Sequence, residues 1–289
     1  MDLAARIESS IEAALLAAAQ TDCPPRLADA LHYAVFPGGA RIRPRLTLAV
    51  ALACGDDDPA ASDAAATAIE ILHCASLIHD DLPCFDDADM RRGKPSVHRA
   101  FGESLAVLAG DALIVLGFDL IAASPMRHPE RMAPLIRVVG RAVGAQGGIT
   151  AGQAWECESA VDLAAYHLAK TGSLFAAATV AGAAAAGAEH ELWRPLGETI
   201  GEAFQVADDI ADHVGSTAVI GKPTGRDKAL GRPSAVLELG LDAAVSRLKS
   251  LVGRATALVP PCRGEAHLRA LILTETQRFV PAGLVAAAA

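Results

Sequence analysis

Apolar residues recur along this chain at spacings of three and four over long stretches, and alternation with a period of two is scarce. That spacing gathers apolar side chains on one helical face, so it predicts helices. They run over about 2–20, 27–35, 44–53, 59–79, 102–123, 129–145, 149–158, 161–186, 190–214, 228–257 and 263–285. The breakers agree with this division: Asp22 to Pro25 closes the first helix and Pro37-Gly38-Gly39 closes the second. No internal repeat, low-complexity linker or charge block interrupts the series, which predicts one domain over residues 1–289.

Composition narrows this picture. With 52% hydrophobic residues but only 4% aromatic, the chain favours closely packed Ala- and Leu-rich helices over sheets, and an all-α fold is expected. A formal net charge of −9, with no basic stripe, argues against nucleic acid as a partner. Asp2, Arg6, Glu8 and Glu12 break up the first apolar run, so no secretion signal is expected there. The uncharged stretch 171–188 is mostly Ala and Gly and is read as a buried core helix, with no membrane span. Six scattered cysteines without a CxxC pair are read as free thiols of a cytoplasmic protein.

Charge then changes the reading sharply at one place. Between the apolar runs 65–78 and 105–122 lies a polar stretch holding Asp80, Asp81, Asp86, Asp87 and Asp89, followed at once by Arg91, Arg92 and Lys94. Carboxylates crowded this closely repel and desolvate badly unless cations offset them. Oxygen-only donors suit magnesium, which accepts carboxylates together with substrate phosphates, and arginine forks fit those same phosphates. A solvated charged loop is the plain alternative. Far downstream, Asp208 and Asp212 stand four apart and share a helical face, with Asp209 turned aside. Two such clusters on long helices can form opposite walls of one site holding metals around a diphosphate.

At this point the motifs resemble those of the trans-type prenyl diphosphate synthases, most closely the bacterial geranylgeranyl diphosphate synthases. "DDLPCFD" with "RRGKP", and "DDIAD" with "GKPTGRD", are joined in family order by "PGGARIRP" (37–44), "LAGDAL" (108–113), "GQ" (152–153), "KTGSLF" (170–175) and "FQVADD" (204–209). The resemblance implies a single-domain bundle of long antiparallel helices around a deep central cavity, forming a homodimer. It implies an enzyme joining isopentenyl diphosphate to an allylic diphosphate with three magnesium ions. Carried over by position, the metal ligands are Asp80 and Asp86 with Asp81 in support, then Asp208 directly and Asp209 and Asp212 through water. Arg91, Lys170 and Lys222 would hold the allylic diphosphate; Arg43, His73 and Arg92 would hold isopentenyl diphosphate. Thr171 and Gln205, with the Lys170 carbonyl, would face the allylic cation.

One position departs from the pattern. Ala40 stands where family members commonly carry lysine, which implies weaker binding of isopentenyl diphosphate. Product length is expected to depend on Ala75 and Ser76, because the residue five before Asp80 lies about 7.5 Å deeper along a helix. An aromatic there stops the chain at fifteen carbons in relatives, so small residues imply a twenty-carbon product. Leu113, Val115 and Leu116 are candidates for the lower cavity wall. The rival readings are a farnesyl diphosphate synthase, a longer-chain synthase, or a non-catalytic regulatory subunit of a heteromeric synthase. The last would tend to lose residues of the kind this chain keeps.

Overall fold

A computed structural model of the chain describes residues 2–20, 22–160, 163–214 and 234–277. These are helical almost throughout, with one two-stranded hairpin, Met90–Arg91 against Lys94–Pro95. Backbone contacts group the chain into two compact units, Met1–Arg141 with Ala177–His190, and Ala142–Ala176 with Glu191–Ala289. Each is described by itself.

In the first unit, α1 (Leu3–Ala18) buries Ile7, Ile11, Ala14 and Leu15, the stripe its spacing predicts. α2 (Pro25–Val35) opens on a proline whose missing N–H costs nothing at a first turn. α3 (Ile42–Cys54) ends at Gly55, whose φ of 121° few side chains tolerate. α4 (Pro59–Asp80) is capped by Asp58, fully buried, which accepts from Ala61 N at 3.4 Å and from His128 N at 2.9 Å.

α4 is buried on most of its circumference because α3 covers one side and α6 (Glu103–Ala122) the other. Two glycines a heptad apart let α6 approach so closely. A Cβ on Gly110 would lie 2.1 Å from His79 Nε2, and one on Gly117 would lie 2.8 Å from Leu72 Cγ. The helix α7 (Met132–Val143) follows a short 3-10 turn, Pro129–Arg131.

The second unit is built from α8 (Ile149–Trp155), α9 (Leu163–His167), a π-helical turn Leu168–Gly172 and the start of α10 (Ser173–Ala185). α11 (Arg194–His213) then packs along the helix Leu241–Ala257. Shorter helices cover Ala235–Leu239 and Glu265–Gln277.

Three expectations are corrected. The run 161–186 is widened by the π turn inside a helix that continues from Ala165 to Ala185. The run 228–257 is interrupted at Gly240, whose φ of 81° ends one helix and begins the next. The polar stretch after Asp81 contains the hairpin and a short helix, α5 (Val97–Phe101).

Among the described residues, three helices are long and apolar enough to cross a membrane. The windows in Pro59–Asp80 and Ala165–Ala185 are 78% buried by protein, which accounts for their hydrophobicity, whereas that in α6 is 33% buried.

Candidate active site

The first unit carries the first acid motif at the end of α4. After Asp81 the chain turns back on itself: Asp86 N donates to Asp80 O at 3.0 Å and Ala88 N to Asp81 O at 3.1 Å. This fold-back brings Asp80 and Asp86 together at the helix end. Among the described residues no three His, Cys, Asp or Glu side chains converge into a cage. The donor set of Asp80 and Asp86 suits magnesium, which takes one or two carboxylates and completes its shell with water and substrate phosphate oxygens. Asp87 and Asp89 serve elsewhere, paired with Arg99 at 3.0 and 2.8 Å.

Asp81 is 2% exposed, and Arg91 grips it with Nε 3.0 Å from both carboxylate oxygens and Nη2 closer still. Such a fork on a carboxylate is among the stronger polar contacts a protein makes. Burial opposes the charge on Arg91, but Asp81, with Asp80 and Asp86 behind it, holds its pKa above the ordinary arginine value. The geometry thus makes Asp81 the anchor of Arg91, a role beside the supporting one expected of it toward metal.

Arg91 and Arg92 are neighbours in sequence but serve different surroundings, because the hairpin turns between them and Lys94. Arg92 has φ 53° and Gly93 φ 77°, the signs of a type I′ turn. Lys94 donates to the carbonyls of Tyr33 and Phe36, closing the C-terminal end of α2. Arg92 is set near Gly39, where an added Cβ would meet its Nε at 3.3 Å.

Arg43 and His73 meet at 3.4 Å, Nη1 to Nε2. Arginine has no acceptor, so His73 Nε2 takes the bond and the ring proton sits on Nδ1. Burial, then the charges of Arg43 and Arg92, push the His73 pKa well below its ordinary value. Burial first, with Arg92 adding to it, lowers Arg43 to about 10, and burial raises the Cys74 thiol to about 11. Arg43, His73 and Arg92 therefore form a cluster in which positive charge is crowded, the setting a polyanion relieves.

Sequence reasoning missed what holds this cluster. Arg41, 6% exposed, donates to Glu8 at 2.9 Å, to Glu70 at 2.7 Å and to the Val35 carbonyl at 3.0 Å. It ties α1, α2 and α4 together one residue from Ile42 and two from Arg43.

Ala75 is 1% exposed and lies in the apolar cluster that also contains Ile78, Leu82 and Leu113. Ser76 spends its hydroxyl on the His73 carbonyl at 2.8 Å. Of the deeper candidates Leu113 is fully buried, but Val115 is 67% exposed and is no wall residue within this unit.

The second unit carries Lys170, Thr171, Gln205, Asp208 and Asp212. Lys170 and Thr171 lie in the π turn, a local widening that redirects carbonyls and is frequent at functional positions. Gly152 explains why this turn fits: a Cβ there would lie 2.4 Å from Lys170 N. Lys170 is paired with Glu156, which also accepts from Tyr166 Oη at 2.7 Å. Neither partner carried a sequence signal.

Thr171 Oγ1 donates to Gln205 Oε1 at 2.9 Å, and Gln205 Nε2 donates to Asp209 Oδ1 at 2.9 Å. Asp209 is 3% exposed and its other oxygen accepts from Ala235 N at 2.7 Å. Both of its oxygens accept from protein donors, an anchoring role added to the expected contact with metal through water, since each oxygen keeps a second lone pair. Asp208 and Asp212 are half-buried, one turn apart on α11. Gln205 and Asp209 also border a cavity of about 550 Å³ lined by Gly172, Thr199 and Ala235. Lys222 lies outside the described residues.

The chain as a whole has counterparts among known proteins. The polyprenyl synthetase family model matches residues 24–259. The chain belongs to the polyprenyl synthetase family. Within that family it is 53% identical, over 97% of its length and 98% of the relative's, to a geranylgeranyl diphosphate synthase of Cereibacter sphaeroides. It is 56% identical over 94% of both chains to one of Rhodobacter capsulatus. Among solved structures it resembles an FPP/GFPP synthase from Zymomonas mobilis, with TM-score 0.78, 31% identity and coverage of 96% and 99%. It also resembles a Helicobacter pylori geranyltransferase complexed with magnesium and isoprenyl diphosphate, with TM-score 0.78, 29% identity and coverage of 96% and 98%. The all-α fold of this polyprenyl synthetase chain is that of isoprenoid synthases.

Proposed function

We propose that the chain is a trans-prenyltransferase that makes geranylgeranyl diphosphate from isopentenyl diphosphate and an allylic diphosphate. The observation that carries this reading is the division of labour on one hairpin. Arg91 is held beside the Asp80–Asp86 carboxylates, and Arg92 belongs to the Arg43–His73 cluster. Two substrates that each bear a diphosphate need two such cationic sites, and only the one that loses its diphosphate needs metal. Identity above 50% with two geranylgeranyl diphosphate synthases supports the same reading.

Magnesium on Asp80, Asp86, Asp208 and Asp212, three ions in all, would offset the charge that grows on the departing diphosphate. Arg91, Lys170 and Lys222 bind that group and orient it. The allylic carbon–oxygen bond breaks heterolytically and the electron pair leaves with diphosphate. Arg43, His73 and Arg92 hold isopentenyl diphosphate so that its double bond attacks the allylic carbon. A proton is then lost from the adjacent carbon to the diphosphate just released. Thr171, Gln205 and the Lys170 carbonyl face the cation in between, and apolar walls keep water from quenching it.

The partner of α6 is read as a second copy of this chain. Its uncovered face carries Val107, Leu108 and Val115, at 41, 53 and 67% exposed, an apolar stripe that a twofold dimer would bury against itself. Light scattering should give twice the chain mass.

The test of activity is incubation of the purified chain with magnesium, isopentenyl diphosphate and each allylic starter in turn. A twenty-carbon product with release of one diphosphate per condensation is expected. Products ending at fifteen carbons would favour the farnesyl reading, and no turnover with any starter would favour the regulatory-subunit reading.

A further inference from the structure

The chain Thr171–Gln205–Asp209–Ala235 has a direction that its chemistry fixes. A carboxylate offers only acceptors, so the end of the Gln205 amide that faces Asp209 must be its NH2. The amide oxygen is thereby placed on the Thr171 side. A carbonyl oxygen also only accepts, so the single proton of the Thr171 hydroxyl must be donated to it. Both lone pairs of that hydroxyl are then turned away from Gln205. Asp209 is itself held still: it is 3% exposed, four residues from Gln205 on the same helix, and its second oxygen takes a main-chain N–H that cannot rotate away.

We propose that Asp209 is a positioning residue that sets the polarity of this relay, so that Thr171 presents oxygen lone pairs and not its proton to the developing allylic cation. This rests on the reading above that Thr171 and Gln205 face that cation. A dipole already aimed at growing charge stabilises it without reorganising at the moment of reaction. The chain, partly shielded from water, also polarises along its length, each bond strengthening the next. Without the carboxylate the Gln205 amide can turn over. Its NH2 would then face Thr171, whose proton would be released toward the cation and oppose it.

Asp209→Asn keeps the shape but supplies an amide able to donate or accept, so the relay loses its fixed sense. In the full-length enzyme with magnesium and both diphosphates, kcat should fall about tenfold. The KM values of both substrates and the half-saturating magnesium concentration should stay within about twofold, the pattern of an interaction made only as charge develops. Thr171→Val should lower kcat comparably, and Thr171→Val with Asp209→Asn should be no worse than Thr171→Val alone, since both act through one hydroxyl.

Should Asp209→Asn fail to fold, Ala235→Pro removes the main-chain donor at a first helical position that suits proline, and kcat should drop about threefold. A rise of about tenfold in the magnesium requirement of Asp209→Asn, with kcat regained at saturating metal, would make Asp209 a metal ligand and overturn the proposal. So would additive losses in the double variant, or an unaffected kcat in Ala235→Pro. An active Thr171→Val with unchanged kcat would overturn the underlying reading of the cation face as well. A defective Thr171→Val beside a normal Asp209→Asn would overturn the positioning role alone.

Discussion

The chain uses the dipeptide Asp-Asp twice near the end of a long helix, and comparing Asp80-Asp81 with Asp208-Asp209 separates two jobs that look alike in sequence. Consecutive helical residues point about 100° apart, so both cannot face one ligand. In each pair the first aspartate is half-buried and the second nearly fully buried, at 2% for Asp81 and 3% for Asp209. What the buried member holds differs. Asp81 holds a cation, the guanidinium of Arg91, while Asp209 holds a neutral amide and a main-chain N–H. On the proposed function such a pair is one ligand and one anchor, and the anchor decides whether a charge or a dipole is fixed beside the ligand.

The largest effect should come from breaking this asymmetry in the first pair. Asp80→Asn should cost about a thousandfold in kcat, the loss expected when a metal ligand at a developing charge is removed. Asp81→Asn should cost about tenfold, expressed mainly as a higher KM for the allylic diphosphate through a loosened Arg91. Steady-state kinetics on both variants checks this, and equal losses would erase the distinction drawn between ligand and anchor.

The space beneath the first pair gives the next effect. Ala75→Phe should shift the product from twenty carbons to fifteen, read by chromatography of the dephosphorylated prenols. An unchanged product would remove Ala75 as the floor.

A smaller effect follows from the positive surroundings of His73. Its folded-state pKa lies well below the ordinary value, so the unfolded chain takes up this proton first and stability declines as pH falls below about 6.5. Between pH 6.5 and 5.5 the melting temperature of His73→Gln should fall about 2 °C less than that of the parent. The smallest effect is at Ala40, exposed beside Arg41: Ala40→Lys should lower the KM for isopentenyl diphosphate about threefold, as one added surface cation near a polyanion would.

Much of this was legible before any coordinates. The three- and four-residue spacing marked α1 and α11 because each packs one broad apolar face, sheer apolar length marked α4 and α6, and the motifs marked Arg43, His73, Arg91 and Arg92. What escaped depended on partners far away in sequence. Glu156 meets Lys170 across an intervening turn and helix, and Arg41 meets Glu8 and Glu70 on two other helices. The hairpin was hidden because its turn residues are Arg-Gly, where the usual signal would be Asn-Gly. The break at Gly240 carries little signal because the residues on both sides read as helix, and only its positive φ parts them.

That Arg-Gly turn has a consequence for anyone improving the protein. Arg92 occupies left-handed backbone that asparagine or glycine would adopt more readily, so a screen for thermal robustness should select replacement at this position early. Every such winner would surrender the guanidinium beside His73. With Arg92 in its proposed role, durability and turnover compete at a single codon.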